Sequence, residues 1–198
     1  DASAPPTRVA LEGVMDASAG KYHSLVVASE GVVFAFGDNS YGQLGLGSTE
    51  DAWEPACVSL PSSAVGVAAG ASHSLVLLED GDVVGFGSDA QGQLGGARVD
   101  DESDSDSSDT DSTSSSSSSS SAADDEVWTP ARVPGLCGKG VVAVAAGGAA
   151  NSDAGHTVAV TAAGAVLCLG AGGLGQLGAG VDSSSTPLPV PVRKTAWS

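Results

Sequence analysis

The side chains of this chain that could do chemistry are its three histidines, because an imidazole can transfer protons or bind a metal ion. They occupy the same position of a repeated segment, as His23, His73 and His156. A catalytic histidine usually has its own nucleophile or carboxylate beside it, whereas a position that recurs in every repeat is typical of a structural role. We therefore interpret the three histidines as structural hydrogen-bonding residues, and we predict no catalytic residue and no metal site.

The glycine-rich segments raise a second chemical question, which is whether the chain binds a nucleotide. The chain contains 28 glycines. It has no G-x-x-x-x-G-K-[ST] motif, however, and no strand–helix–strand pattern around its glycine runs. We therefore predict that the chain binds no cofactor and is not an enzyme.

The repeated segment occurs three times with constant internal spacing. From each histidine, the glycine of an FG, FG or LG pair follows after 14 residues, and the glycine that opens a GQLG sequence follows after 19. Two apolar runs of strand length, joined by a short turn that contains glycine, follow each histidine. Self-similarity at a period of about fifty residues predicts an array or a propeller.

Each copy extends to about four predicted strands when its flanks are included. An apolar stretch precedes each histidine and a Pro-x-x-Val sequence precedes that stretch, so we bound the units at about 6–54, 55–129 and 130–186, with a partial unit at 187–198. Four short strands per unit is the pattern of a propeller blade. The leucines of the GQLG turns are predicted to be buried beneath those turns: Leu44, Leu94 and Leu177.

The Gly-x-x-His start, the hairpin glycine, the aromatic–Gly pair and the GQLG turn together resemble the repeats of the regulator of chromosome condensation family. The resemblance covers nearly the whole chain outside residues 97–127. It implies an all-β fold, a seven-bladed propeller of four-stranded antiparallel blades, of which this chain holds about three. The third copy departs from the pattern, because Leu169 replaces the aromatic residue and the Gly-x-x-His start is stretched by six residues.

Three units and a stub, which we treat as one propeller segment over 1–198, are too few to close a ring. Propellers have about four blades or more, and an open stack of blades leaves strand edges exposed. We therefore expect the chain to be a piece of a longer polypeptide. The alternatives are a processed protein and closure of the ring by self-association.

The charge of the chain is strongly negative, with 24 acidic against 7 basic side chains and a formal net charge of −17. Residues 100–126 contain ten of the acidic side chains, many serines and no Lys or Arg. This composition predicts a disordered acidic insertion, which we bound at 98–126. The acidic surface and the scattered basic residues argue against nucleic-acid binding.

The insertion has two interpretations. The simpler one is a solvated loop. The other is a docking segment controlled by phosphorylation, with Ser103 and Ser108 as candidate sites because each is followed by Asp after three residues. Phosphates there would add negative charge and could recruit Arg-rich partners.

Two tryptophans lie at matched positions, each two residues before a Pro-x-x-Val sequence. Matched aromatic residues usually pack one blade against another, and a role in partner binding is the alternative. The candidate protein-binding residues are these tryptophans and the insertion's carboxylates: Trp53, Trp128, Asp104, Asp106 and Asp109.

The compartment is predicted from cysteines and hydropathy. The chain has three cysteines, an odd number without paired spacing, which indicates buried or inert thiols in a reducing compartment. No apolar run reaches membrane-spanning length and no leader sequence is visible. We therefore expect an intracellular protein, cytoplasmic or nuclear, without membrane insertion.

These observations favour a non-catalytic scaffold propeller that binds other proteins within a larger assembly. The family resemblance implies two alternatives: a guanine-nucleotide exchange factor whose partner is a small GTPase, and a substrate-recruiting domain of a ubiquitin ligase. The only large insertion is acidic and serine-rich, which is poorly suited to opening a nucleotide site, and the sequence contains no ligase domain.

Overall fold

The computed structural model describes residues 7–96, 126–148, 155–178 and 185–191 of the chain. Within these ranges the chain forms three four-stranded antiparallel sheets, which we call blades 1, 2 and 3 in chain order. Among the described residues, the only helical element is a short 3-10 turn at Ser29–Gly31. The all-β class and the blade architecture predicted from the sequence are confirmed.

The strands of each blade pair in chain order. Blade 1 consists of β1 (Val14–Ala19), β2 (His23–Ala28), β3 (Val33–Gly37) and β4 (Ala52–Val58). Blade 2 consists of β5 (Ala64–Ala69), β6 (His73–Leu78), β7 (Val83–Ser88) and β8 (Glu126–Arg132). Blade 3 consists of β9 (Val141–Gly148), β10 (Gly155–Thr161), β11 (Val166–Ala171) and β12 (Ser185–Pro191).

Each blade begins and ends at different residues from the unit that the sequence predicted. The Pro-x-x-Val sequences that start at Pro55, Pro130 and Pro187 begin within a fourth strand, in β4, β8 and β12 respectively. The reason is pairing: after the GQLG turn the chain returns along the strand that precedes the turn, as the pairs Phe34↔Cys57 and Cys168↔Val190 show. Pro187 therefore does not open a fourth unit, because 185–191 completes blade 3.

The first strands of the blades lie side by side. β5 of blade 2 contacts both β1 and β9. The Val67 backbone N–H donates to Asp16 Oδ2 at 3.2 Å, and the Ala69 N–H donates to Ser18 Oγ at 3.0 Å. The residue numbers of the bonded partners rise together, from 16 and 67 to 18 and 69, so β1 and β5 run in the same direction. Equivalent turns of the two blades therefore lie at the same edge.

Two apolar cores fill the spaces between the blades. The core between blades 1 and 2 includes Leu25, Leu44 and Phe86, and the core between blades 2 and 3 includes Leu94 and Leu169. The GQLG leucines are the deepest residues of their turns, since Leu44 and Leu94 are 0% exposed and Leu177 is 1% exposed. This is the burial that the sequence predicts.

The GQLG turns are held by the side chain of their own glutamine. Gln43, Gln93 and Gln176 each accept, through Oε1, the backbone N–H two residues before them at 2.8 Å. The opening glycine has a positive φ, +74° at Gly42, which side chains rarely adopt. In blades 1 and 2 the leucine N–H is bound as well, by Asn39 Oδ1 at 2.9 Å and by Asp89 Oδ1 at 2.7 Å.

The stretched start of the third copy is accommodated by a longer hairpin. Gly147 pairs with His156 and Gly148 with Gly155, so β9 and β10 continue together past the point where β1 and β2 turn. Gly147 thereby takes the place that Gly20 and Gly70 have in blades 1 and 2. The extra residues, 149–154, lie outside the described residues.

Most of the predicted insertion, 98–126, also lies outside the described residues, but its last residue does not. Glu126 begins β8 and pairs with Ser88 at the end of β7. The insertion therefore joins two strands that are already hydrogen-bonded neighbours.

Deleting residues 100–125 and joining the ends with a short Gly-Ser linker is expected to leave the melting temperature nearly unchanged. The deleted sequence has no apolar side chain larger than alanine, and loop-closure free energy changes slowly with loop length. Differential scanning calorimetry of the full chain and the deletion variant measures this. A drop of many degrees in the variant would show that the insertion packs on the blades.

Candidate functional site

The described turns that follow a first or third strand lie at one edge of the three blades, which we call the turn edge. Its described residues are 20–22, 38–51, 70–72, 89–96 and 172–178. The hairpins between second and third strands lie at the opposite edge, which we call the hairpin edge. Residue 96 and Glu126 are both at the turn edge or directly beside it, so the acidic insertion is attached there.

His23 joins blade 1 to blade 2. It is 3% exposed, and its Nε2 lies 2.9 Å from Ser74 Oγ of β6. Ser74 Oγ in turn donates to the Gln43 carbonyl oxygen of blade 1 at 2.7 Å. Because the one hydroxyl proton is used for Gln43, Nε2 of His23 is the donor to Ser74. This assigns the neutral Nε2–H tautomer to His23.

His73 repeats the arrangement between blades 2 and 3. Its Nε2 lies 3.4 Å from Thr157 Oγ1 of β10, and that hydroxyl donates to the Gln93 carbonyl oxygen at 2.7 Å. His73 is 0% exposed. In both His23 and His73, the Nδ1 atom has no hydrogen-bond partner among the described residues.

The Gly-x-x-His spacing has a steric cause. A Cβ atom placed on Gly20 would overlap the imidazole of His23, and the same is true of Gly70 with His73 and of Gly147 with His156. Each histidine ring therefore packs closely against a glycine, at a place where a side chain would not fit.

Burial keeps the histidines neutral. It lowers the pKa of His23 to about 4, with the charge of Asp38 acting in the opposite direction. It lowers the pKa of His73 to about 3, and the other two histidines add to that effect. It also lowers the pKa of the less buried His156.

The histidines do not form a reaction centre. The hydroxyls of Ser74 and Thr157 are fully buried, and each is committed to a backbone carbonyl, so neither is placed to attack a substrate. Each histidine lies in a different blade. Among the residues that the structure describes, no group of three or more His, Cys, Asp or Glu side chains could hold a metal ion.

The two matched tryptophans have different surroundings. Trp128 covers the GQLG turn of blade 1, where a Cβ on Gly42 would lie 2.5 Å from its Cδ1. The Trp128 carbonyl also accepts the Gly47 N–H at 2.9 Å, and its side chain is 42% exposed. Trp53 is 93% exposed. Trp128 therefore packs a blade junction, as its position suggests, whereas Trp53 is exposed in the described part of the chain.

The turn edge near Trp53 is acidic. Glu50, Asp51 and Glu54 are neighbours of the tryptophan in the sequence and are exposed. Lys21 is the only basic residue of the described turn-edge segments. The other predicted site residues lie outside the described residues: Ser103, Asp104, Asp106, Ser108 and Asp109. They belong to the insertion that is attached at this same edge.

A pocket of about 300 Å³ also opens at the turn edge, between the ends of the three first strands. Its lining consists of residues 19–21, 69–71 and 146–148, all Gly or Ala except Lys21. Lys21 is therefore the one residue of this lining whose side chain could take part in acid–base or nucleophilic chemistry.

The prediction of an intracellular protein used the cysteines and the lack of a membrane-spanning segment, and the structure describes both features. All three cysteines are unpaired, with Cys168 buried, Cys137 half-buried and Cys57 exposed. Of the three thiols that the sequence predicts to be buried or inert, Cys168 is buried, whereas Cys57 on the outer strand β4 is not. In the described ranges, no helix is long and apolar enough to cross a membrane.

The hydroxyl residues of the junctions were missed in the sequence. Ser74 and Thr157 bind the histidine of the preceding blade, which is 51 and 84 residues away in the chain. A signal was present, because a hydroxyl residue directly follows the histidine in every copy, including Ser24.

Comparison with known proteins agrees with this geometry. The family models for the regulator of chromosome condensation (RCC1) repeat match residues 30–77, and residues 16–43 and 64–93. Human protein RCC2 is 49% identical over 41 residues, which cover 21% of this chain and 8% of RCC2. Mouse RCC2 matches to the same extent.

Solved structures show the same fold. The chain is similar to Prp20p from Saccharomyces cerevisiae, a structure described with its binding to Gsp1p and histones, with a TM-score of 0.72, 25% identity and coverage of 95% of this chain and 40% of that one. Yeast RCC1 (Prp20) bound to Kap60 gives a TM-score of 0.70 and 24% identity, with coverage of 95% and 38%. Human WBSCR16 gives 0.68 and 22%, with coverage of 93% and 39%.

The chain thus spans less than a tenth of the curated relatives that it matches and about two fifths of these solved structures. Residues 16–93 therefore match the RCC1 repeat, and the three four-stranded blades have the fold of the similar RCC1 structures.

Proposed function

We propose that this chain is a non-catalytic scaffold that binds a basic protein segment at its turn edge. The observation that carries the proposal is the exposed Trp53 within a group of exposed carboxylates, Glu50, Asp51 and Glu54. An exposed aromatic side chain can anchor an interface, and the surrounding charges steer a partner of opposite sign. The acidic insertion adds negative charge at the same edge.

The proposed lack of turnover is supported by two of the three histidines. The Nε2 atoms of His23 and His73 are used between blades, and their partner hydroxyls are buried. Phosphorylation at Ser103 and Ser108 would strengthen the proposed interaction by adding charge to the insertion. The unpaired cysteines fit a reducing compartment, so we place the protein inside the cell.

A guanine-nucleotide exchange factor for a small GTPase is the second candidate. It is favoured by the similarity to Prp20p, which is described as binding Gsp1p. The same protein is described as binding histones, which are basic proteins and therefore match the charge of the turn edge. We rank the exchange factor second because the large insertion lacks apolar side chains that could open a nucleotide site.

The test uses the full chain with immobilised core histones as the basic probe. We expect binding that weakens as salt is raised. The double variant Glu50→Gln/Glu54→Gln should weaken it about fivefold, since two exposed charge contacts contribute about 1 kcal/mol together. The control Glu30→Gln/Glu79→Gln makes the same charge change at exposed positions of the hairpin edge, and it should retain the binding of the unmodified chain.

Three results would contradict the proposal: no binding to histones, equal weakening by both double variants, or binding that is insensitive to salt. The second candidate is tested with a small GTPase loaded with fluorescent GDP. Acceleration of nucleotide release by the chain would favour the exchange factor instead.

A further inference from the structure

The loop that follows the GQLG turn of blade 1 contains a serine in an acidic sequence. It reads Ser48-Thr49-Glu50-Asp51, so a carboxylate follows Ser48 after three residues. Outside the acidic insertion, 98–126, no other serine or threonine in the sequence has Asp or Glu at that position. Kinases select their substrates partly by charge pattern, and a kinase with a basic substrate groove binds such a serine through the carboxylates that follow it.

The side chain of Asn39 fixes the backbone of this loop. Asn39 is 0% exposed, and its Nδ2 donates to the carbonyl oxygens of Ser48 at 2.8 Å and of Glu50 at 2.9 Å. The Asn39 backbone N–H donates to Asp51 Oδ1 at 2.9 Å. The loop is thus held through its carbonyl groups by a buried side chain, while Thr49, Glu50 and Asp51 are exposed and Ser48 is half-buried.

Blade 2 also holds this loop. The Gly47 N–H donates to the Trp128 carbonyl oxygen at 2.9 Å, and a Cβ placed on Gly45 would lie 2.9 Å from the Phe86 ring. These contacts belong to the junction between blades 1 and 2, which are both described. The position of Ser48 is therefore set by contacts within this pair of blades.

The Ser48 hydroxyl is free to react. Its Oγ accepts the Glu50 N–H at the long distance of 3.4 Å, and among the described residues this hydroxyl donates no hydrogen bond. The hydroxyls of Ser74 and Thr157, in contrast, are buried and each donates to a backbone carbonyl. Ser48 thus combines partial exposure, an uncommitted proton and an acidic sequence.

We propose that Ser48 is phosphorylated by a protein kinase that recognises acidic sequences. Ser48 Oγ attacks the γ-phosphorus of ATP held by the kinase. The Oγ–P bond forms, the bond from that phosphorus to the β,γ-bridging oxygen breaks, and ADP leaves. The hydroxyl proton passes to the catalytic carboxylate of the kinase. This chain contributes the nucleophile, and its Glu50 and Asp51 pair with the basic groove of the kinase.

The phosphate extends the acidic surface of the turn edge towards the junction of blades 1 and 2. A phosphoserine carries about −1.5 to −2 charges at pH 7, and at Ser48 these lie next to Glu50 in the sequence. This consequence rests on the proposed function, in which the turn edge binds a basic protein segment. Phosphorylation of Ser48 therefore raises the affinity of the chain for that segment.

The test treats the full chain with such a kinase and Mg-ATP. Mass spectrometry then locates the phosphate in the fragment 31–50, which a glutamate-specific protease releases. We expect phosphate on Ser48 and its loss in Ser48→Ala. Ser40 is an internal control in the same fragment, since the third residue after it is Gln43 and its hydroxyl donates to Asp38 Oδ1 at 2.7 Å. It should remain unmodified.

Two charge variants test the recognition step. Asp51→Asn removes the charge but retains an oxygen that can accept the Asn39 N–H, so the loop is preserved and the initial rate of Ser48 phosphorylation should fall several-fold. Glu30→Gln makes the same charge change at the hairpin edge and should leave the rate unchanged. Absence of phosphate at Ser48, equal modification of Ser40, or an unchanged rate in Asp51→Asn would overturn the proposal.

Histone binding tests the consequence separately. The kinase-treated chain should bind immobilised core histones about fivefold more tightly than kinase-treated Ser48→Ala. Both samples carry the same phosphates elsewhere, so the difference reports Ser48 alone. Equal binding by the two samples would overturn the effect of this phosphate on binding. If neither sample binds histones, the proposed function fails, whereas phosphate located on Ser48 still supports the modification site.

Discussion

Replacing Leu94 with alanine is expected to lower the free energy of unfolding by about 2–5 kcal/mol, the range found for truncation of a buried leucine. Leu94 is 0% exposed and belongs to the core between blades 2 and 3. Its backbone N–H bond to Asp89 is independent of the side chain. The loss therefore reports the apolar contacts and the cavity alone.

Leu174→Ala is the matched control, because Leu174 lies in the corresponding turn of blade 3 but is 95% exposed. This change should alter stability by less than about 0.5 kcal/mol. Urea unfolding followed by circular dichroism measures both variants, with an unchanged m-value as the sign of a native-state effect. Equal losses in the two variants would show that Leu94 does not support its turn.

The second large effect is a loss of stability as pH falls below about 6.5. Burial lowers the pKa of His23 to about 4 and the pKa of His73 to about 3 in the folded state. Below 6.5, the unfolded chain takes up protons at these two residues and the folded chain does not. Each histidine therefore removes about 1.4 kcal/mol of stability per pH unit, until the pH reaches its folded-state pKa.

His73→Gln isolates the contribution of one histidine. The glutamine amide can still donate to Thr157, but it does not titrate. Between about pH 6.5 and 5, where most carboxylates stay ionised, the slope of stability against pH should be smaller in the variant by about 1.4 kcal/mol per unit. Urea unfolding at a series of pH values measures it. An unchanged slope would mean that His73 is protonated in the folded chain.

The sequence predicted the blades because their signals are local and repeat. The constant distance from each histidine to its GQLG turn identified three copies of the repeat. The leucine of each GQLG sequence identified the residue that is buried beneath the turn. Both follow from short-range geometry: glycines bend the backbone around a side chain that has to be buried.

The residues at which each blade begins and ends could not be predicted in the same way. A repeat can be cut at any point along its period, and the sequence does not show which cut coincides with a sheet. Hydrogen bonds between β3 and β4 decide it, as in Phe34↔Cys57, and these bonds span the GQLG turn. Pro55 therefore closes a sheet, although it looks like the beginning of a unit.

The candidate site was predicted less completely than the fold. Trp53 and Trp128 have the same sequence surroundings, yet one is exposed and the other covers Gly42. The difference arises from the neighbouring blade, which is a long-range contact that the local pattern does not contain. The same holds for the bond between His23 and Ser74, whose partners are 51 residues apart.

Hydrogen–deuterium exchange of the full chain, with and without core histones, locates the proposed binding edge. We expect slower amide exchange in residues 38–54 and 88–96 of the turn edge when histones are present. The segments of the hairpin edge, at 29–32 and 79–82, should exchange at the same rate in both samples. Protection confined to the hairpin edge, or no protection anywhere on the chain, would contradict binding at the turn edge.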